Sequence, residues 1–383
     1  MVDITNIKTA LVHHWFLNMS GGEKVCESIC EIFDSLDIFT IVSNPHIFSP
    51  VLKRQSLTNS FVQKIPGAKR LHRYYAWLFP LAVESFDLRP YDLVITSDSS
   101  TVKGVVTQPE TCHICYCHSP MRYAWNMFSE HAESSSTIAR ALVSLLMHYL
   151  RLYDYSASAR VDYFVANSLT VHDRIRKYYR RDSKVIYPPC DTDKFTISST
   201  VQDYYLFVGR LVAYKGARMA LEAFNRTEKP LKIVGDGPDR SRLQAAAGKN
   251  IEILGWVSDE ELATLYAGCR ALVFPAEEDL GIVPLEAQAC GRPIIAFGKG
   301  GALETVIPEE TGLFFSEQTP RALNEAIELF ERKCHIFDPL RIRANAERFG
   351  KQRFRDEFSE YVAECFEDHK NRFHAKRVIA SLV

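Results

Sequence analysis

The chain has 383 residues, enough for two domains of ordinary size, each with its own core. Hydrophobic residues make up 46% and charged residues 24%, the composition of a soluble globular protein. With 46 Lys plus Arg against 47 Asp plus Glu, the net charge of −1 excludes a global electrostatic pull toward nucleic acid.

The opening, MVDITNIKTALVHHWF, has no basic region followed by a long apolar one, so no signal peptide is expected. Strands are expected at KTALVHH (8–14), DLVITSD (92–98), CHICYCH (112–118), DYFVANS (162–168) and KVIYPP (184–189). Within this half, ALVSLLMHYL (141–150) reads as a helical stretch too short to span a bilayer. CHICYCH invites a metal reading. Alternation along a strand, however, puts Cys112, Ile114 and Tyr116 on one face and His113, Cys115 and Cys117 on the other. Neither face offers two spaced ligand pairs of the zinc type, so a buried strand ending at His118 is expected, with no metal. The ten cysteines form no compact disulfide framework and are expected to be reduced thiols in the cytoplasm.

A second series of strands is expected at YYLFVGR (204–210), LKIVGDG (231–237), IEILGWV (251–257), ALVFPA (271–276) and PIIAFG (293–298). Helical patterns such as ARMALEAFNR and DEELATLYAGC lie between them, and such alternation means parallel sheets covered by helices on both faces. Two series predict two doubly wound domains, parted at the turn-rich YPPCDTDKFTISSTVQDYY (187–205). The end, RFRDEFSEYVAECFEDHKNRFHAKR, reads as an amphipathic helix with Phe354, Phe358, Tyr361 and Cys365 on one face.

Neither series opens with a dinucleotide fingerprint. HHWFLNMSGGEKV carries Gly21 and Gly22 but no G-x-G-x-x-G, and the proline in VGDGPDR makes that G-x-G a turn. A Walker sequence and a G-x-S-x-G elbow are also absent. The most informative stretch is FPAEEDLGIVPLEAQACGRPII (274–295). There a strand ends, three acids follow, and a helix opens near Gly281 with Pro284 in its first turn. An open helix N-terminus at a sheet's carboxyl edge suits an anion, and carboxylates beside it suit hydroxyl groups. The pairing suggests a ligand with both phosphate and polyol.

In chain order, HSPMRYAW, ANS, YPPCDTDKF, VGRLVAYKG, VGDGP, GWVSDEEL and PAEEDLGIVPLEAQACGRPIIA resemble the motifs of glycosyltransferase family 4, the retaining GT-B enzymes. The resemblance covers nearly the whole chain and is strongest over 184–315. It implies two Rossmann-like domains facing a cleft: an acceptor-binding domain (1–190), a nucleotide-sugar-binding domain (191–349), and a C-terminal helix (350–383) returning to the first. Glu278 and Glu286 match the family's paired glutamates, Glu278 facing the sugar hydroxyls and Glu286, about two turns into its helix, the ribose. Arg210 and Lys215 would meet the diphosphate, whose negative charge grows as the glycosidic bond breaks. The amides of Gly281, Ile282 and Val283 would meet sugar and diphosphate, and Val257 completes the donor set. In the first domain, Gly21 and Gly22 match the family's glycine-rich loop, and His118 the histidine beside the donor sugar. His13 and His14 are left unassigned. The resemblance implies catalysis through His118, Glu278, Arg210 and Lys215, without metal or other cofactor.

YDLVITSDSSTVKGV with YCHSPMRYAWN resembles the branch of bacterial mannosyltransferases of surface-polysaccharide assembly, with GDP-mannose as donor and a polyprenyl-linked glycan as acceptor. Asn126, where relatives often carry an acid, and Leu280, where an aromatic is frequent, depart from the pattern. The alternatives are a UDP-sugar-dependent glucosyl- or N-acetylhexosaminyltransferase, an epimerase on the same frame, or a silent partner subunit. Glu286→Ala and Lys215→Ala are expected to leave the fold intact. QKIPGAKRLHRYYAWLFPLAVESF (63–86) interleaves Lys64, Lys69, Arg70 and Arg73 with Tyr74, Tyr75, Trp77, Leu78 and Phe79. Such a segment suits either an anionic membrane surface or a core-facing helix with a basic outer side, and the resemblance favours the membrane.

Overall fold

In a computed structural model, residues 3–125 and 137–380 are described. The chain divides into one unit of Met1–Pro189 with Phe354–Val383 and a second of Cys190–Arg353. Residues 350–353 fall with the second unit because Lys351 pairs with Asp191 at 2.8 Å and the Cys190 N–H donates to the Phe349 carbonyl.

The first unit holds a seven-stranded sheet in the order β3-β2-β1-β4-β5-β6-β7. Its strands are β1 (Thr9–Phe16), β2 (Asp37–Ser43), β3 (Ser56–Asn59), β4 (Leu93–Asp98), β5 (Cys112–Cys117), β6 (Tyr163–Ala166) and β7 (Lys184–Val185), all paired in parallel. Both faces are buried, so the strands read as apolar runs. Leu11, Ile38, Leu93, Cys112, Ile114 and Tyr116 share one core with the helix Gly21–Cys30, while Ala10, Val12, Phe39, Ile41 and Val94 pack under Phe79, Ala82 and Val83 on the other. The C-terminal helix Lys351–Ala380 joins the first of these cores. Phe354, Phe358, Val362 and Phe366 recur every fourth residue, which keeps them on one stripe. Cys365 is buried with them and Tyr361 packs at the edge.

The second unit holds six parallel strands in the order β10-β9-β8-β11-β12-β13. These are β8 (Tyr205–Val208), β9 (Leu231–Val234), β10 (Ile251–Gly255), β11 (Leu272–Phe274), β12 (Ile294–Phe297) and β13 (Gly312–Phe315). Phe207, Ile233, Val273, Ile295 and Leu313 face the helices Ala217–Phe224 and Pro320–Lys333; Leu206, Val234, Leu272, Ile294 and Ala296 face Tyr266, Ala287 and Cys290. Both sheets therefore have the doubly wound order, whose direction reverses between β1 and β4 and between β8 and β11.

Two expectations change. Strands β2, β3 and β13 join the five expected in each half. The segment 63–86 is no continuous helix; it breaks into Phe61–Lys64, Ala68–Leu71, His72–Leu78 and Phe79–Glu84, with Pro66-Gly67 and Pro80 interrupting the helical bonding. Phe79 is 2% exposed in the core and Tyr75 and Leu78 pack against it, whereas Tyr74 is 78% and Trp77 55% exposed. All ten cysteines are free, nine of them buried.

Candidate functional site

In the first unit the carboxyl ends of β1, β4 and β5 bring together histidines and a serine. His118 follows β5, and its Nε2 lies 2.7 Å from Ser97 Oγ at the end of β4. His13, from β1, places Nδ1 3.0 Å from both the carbonyl and the hydroxyl of Ser97. Gly21 and Gly22 form the first turn of a helix, not a loop. The reason is Glu23, which accepts from the Ser20 N–H at 3.1 Å and the Ser20 hydroxyl at 2.8 Å, fixing the helix start at Ser20. Gly22 packs over both histidines: a Cβ there would stand 3.3 Å from His13 Cε1 and 3.6 Å from His118 Nε2. Beneath the site, Lys103 is fully buried, paired with Asp98 at 2.9 Å and with Asp154. Asp154 also accepts from the Trp125 indole and the Tyr179 hydroxyl, each at 2.7 Å. Burial opposes the Lys103 charge, but the two carboxylates more than offset it and keep the ammonium protonated.

The histidines are tuned in opposite directions. Burial, with His13 nearby, lowers His118 to about 4. Burial also acts against charge on His13, but Cys26 and Glu23 outweigh it and raise the group to about 10. The linkage signs follow. A raised histidine stabilises the fold fully below its unfolded value of about 6.5, and that contribution is lost as pH rises toward 10. A depressed histidine favours the fold above about 6.5 and costs stability as pH falls toward 4. Urea midpoints should thus decline from near-neutral pH on both sides. Glu23→Gln should flatten the alkaline limb, and an unchanged limb would remove Glu23 from that role.

In the second unit, Lys215 ends a short 3₁₀ turn after β8 and forms an ion pair with Glu278, which follows β11. Arg210, at the same edge, is exposed and makes no ion pair among the described residues. The helix Ile282–Ala289 opens at Gly281, whose φ of +89° is a conformation that favours glycine. Its first amides, near Gly281, Ile282 and Val283, lack intrahelical partners. Glu286 is the fifth residue of this helix, one turn in, not two. It is 9% exposed and accepts from the Tyr266 hydroxyl at 3.0 Å. Val257 is half-buried just beyond β10, next to Trp256, which is 79% exposed. Leu280 is buried, and Asn126 lies outside the described residues.

Geometry thus groups His118 with Gly22 in one unit, and Lys215 with Glu278, Gly281 and Glu286 in the other. Sequence reasoning missed Ser97, His13 and Glu23, although S-x-x-E at Ser20–Glu23 is a capping-box signal. It also missed Gly300 and Gly301. The Gly301 N–H donates to the Glu278 carbonyl at 2.8 Å, and a Cβ on Gly301 would overlap the Leu280 backbone. Among the described residues, no cluster of three or more His, Cys, Asp or Glu could hold a metal, and no helix is long and apolar enough to cross a membrane.

Residues 191–349 match the family model described as glycosyl transferases group 1. Over 201 residues the chain is 30% identical to the D-rhamnosyltransferase WbpZ of Pseudomonas aeruginosa, covering 48% of this chain and 51% of that protein. It is 32% identical over 137 residues to the O-antigen chain mannosyltransferase C of Escherichia coli, 33% of this chain and 37% of that one. A GDP-mannose-dependent monoacylated alpha-(1-6)-phosphatidylinositol monomannoside mannosyltransferase of Corynebacterium glutamicum is 36% identical over 149 residues, 34% and 37%. These matches span about half or less of the relatives' own lengths. Among solved structures, the sucrose-phosphate synthase of Thermosynechococcus elongatus aligns with a TM-score of 0.72 at 18% identity, over 94% of this chain and 100% of that one. That likeness shows the fold, two Rossmann-like α/β units of the GT-B type.

Proposed function

We propose that this protein is a retaining glycosyltransferase that moves mannose from GDP-mannose to a polyprenyl-linked glycan during surface-polysaccharide assembly. The observation that carries the reading is the Lys215–Glu278 pair at the open N-terminus of the helix Ile282–Ala289, with the Glu286 carboxylate one turn further on. Cation and amides suit a diphosphate, and carboxylates suit the hydroxyls of sugar and ribose. The names of the rhamnosyl- and mannosyltransferases above support a hexose, and one of them a GDP-mannose donor and a lipid acceptor. In this reading the acceptor oxygen attacks the anomeric carbon on the face the diphosphate leaves. The bond to the diphosphate oxygen breaks, and the acceptor's proton passes to that oxygen. Arg210, Lys215 and the helix amides stabilise the charge gained by the leaving group. His118 and Glu278 hold the sugar, and neither metal nor nucleic acid takes part. Incubation with GDP-mannose and a polyprenyl-linked oligosaccharide should yield an α-linked product; a β-linked one would refute retention.

The acceptor's lipid implies work at the cytoplasmic face of a membrane, and exposed side chains support this. Leu71, Tyr74, Trp77 and Leu81 are exposed beside Lys64, Lys69 and Arg70. The helix Thr137–Ser158 adds an outer stripe of Leu142, Leu145, Tyr149, Leu152 and Tyr155. Each cation near an anionic surface contributes about 1 kcal/mol. Sedimentation with anionic vesicles should weaken with salt and fall in a Lys69→Ala/Arg70→Ala variant. No sedimentation at low salt would detach the protein from the membrane.

A further inference from the structure

Glu23, His13 and Ser97 link the helix Gly21–Cys30 and strands β1 and β4 to His118 at the end of β5. His13 is fully buried, with Nδ1 3.0 Å from the Ser97 carbonyl and hydroxyl and Nε2 3.9 Å from Glu23 Oε1. Glu23 is pinned, since its other oxygen accepts from the Ser20 N–H and hydroxyl. Ser97 Oγ then lies 2.7 Å from His118 Nε2.

A carbonyl only accepts, so His13 Nδ1 carries a proton toward Ser97. Nε2 makes no hydrogen bond, but it faces the Glu23 carboxylate across 3.9 Å, and that negative charge favours a proton there as well. The imidazolium that results faces Glu23 and Cys26 from the helix, with His14 on its own strand and His118 across the site; Asp98 acts on His118, and His72 on His14. Among the described residues the Ser97 hydroxyl meets only His13 Nδ1, which donates to it, and His118 Nε2, so His118 Nε2 is the acceptor left for its own hydrogen. A nitrogen that accepts bears no hydrogen, so the His118 proton sits on Nδ1. That atom makes no hydrogen bond to any described residue.

We propose that Glu23, His13 and Ser97 are positioning residues that lock His118 as the neutral Nδ1–H tautomer, a fixed single donor for an oxygen of the transferred sugar. The ligand part of this rests on the transferase reading above; the tautomer does not. A neutral donor adds no positive charge beside a sugar carbon that itself becomes positive as its bond to the leaving group breaks. The arrangement parallels catalytic sites in which a buried carboxylate sets a histidine's tautomer, here with an imidazolium and a hydroxyl interposed.

Ring-nitrogen NMR of the full-length protein, labelled with ¹⁵N-histidine and free of substrate at neutral pH, tests the tautomer. The His118 signals are assigned by their loss in His118→Gln. Nδ1 should be protonated and Nε2 bare, and His13 should carry both protons. Ser97→Ala should release His118 into a tautomer mixture, and Ser97→Thr, which keeps the hydroxyl, should hold it. If transfer is detected, Ser97→Ala should lower kcat/KM roughly tenfold. A wild-type His118 protonated on Nε2 would overturn the proposal, as would an unchanged tautomer in folded Ser97→Ala. Should the variants fail to fold, the wild-type spectrum alone decides. The wrong tautomer sinks the relay and leaves the transferase reading standing; absent transfer with the right tautomer does the reverse.

Discussion

Lys215→Ala is expected to lower mannosyl transfer by on the order of 10²-fold or more while leaving the unfolding midpoint near wild type. The side chain is 25% exposed and paired with Glu278, so its loss opens no cavity in either core of the second unit. On the proposed reading its removal acts twice on the donor: a cation is withdrawn from the diphosphate, and the Glu278 carboxylate loses the Lys215 charge beside incoming negative charge. Lys215→Ala/Glu278→Gln should therefore recover part of the donor affinity lost in Lys215→Ala, and steady-state kinetics on the four proteins of the cycle would show it. Strict additivity would mean that the pair does not act as one unit. Glu286→Ala, expected from the sequence to leave the fold intact, also carries a stability cost. It leaves the buried Tyr266 hydroxyl without an acceptor, at a cost of about 1–3 kcal/mol. Glu286→Gln keeps the acceptor and is the cleaner test.

Gly301→Ala is expected to disable donor binding through shape alone. Its φ needs no glycine, since only Gly300 of the pair has a positive φ, at +62°. Space is the constraint: the new Cβ would overlap the Leu280 backbone, so the loop carrying Glu278 and Gly281 must move. Forcing such a shift costs typically 1–3 kcal/mol. Gly209→Ala, whose Cβ would meet the Phe207 ring at 3.6 Å, is an ordinary contact and serves as the control. Calorimetric titration with GDP-mannose and thermal unfolding would check both. Full-affinity binding by Gly301→Ala would show that the loop's position is unimportant.

The strands that alternate with helical patterns were legible because buried parallel strands are continuous apolar runs, as in ALVFPA and PIIAFG. The edge strand Ser56–Asn59 was not, since SLTN is only partly buried and carries no apolar run. The resemblance singled out Lys215, Glu278 and Gly281, and the fold places all three at the carboxyl ends of strands, where doubly wound folds gather residues. Their pairing could not be read, as Lys215 and Glu278 stand 63 positions apart and nothing local marks them as partners. Neither could the roles of His13 and Ser97, which become neighbours of His118 only through the register of β1, β4 and β5. Phe79 misled for the opposite reason: it follows basic and aromatic residues in sequence, yet it opens a new helix, with Pro80 in the first turn, and is buried there.

The central claim is that the second unit holds a nucleotide sugar, and a thermal-unfolding panel of GDP-mannose, GDP, UDP-glucose and UDP tests it most directly. GDP-mannose at 100 times its dissociation constant should stabilise the wild type by roughly 2.7 kcal/mol, more than the other three at equal concentration, and Lys215→Ala should lose most of that gain. Equal stabilisation of wild type and Lys215→Ala, or no stabilisation by any of the four, would contradict it.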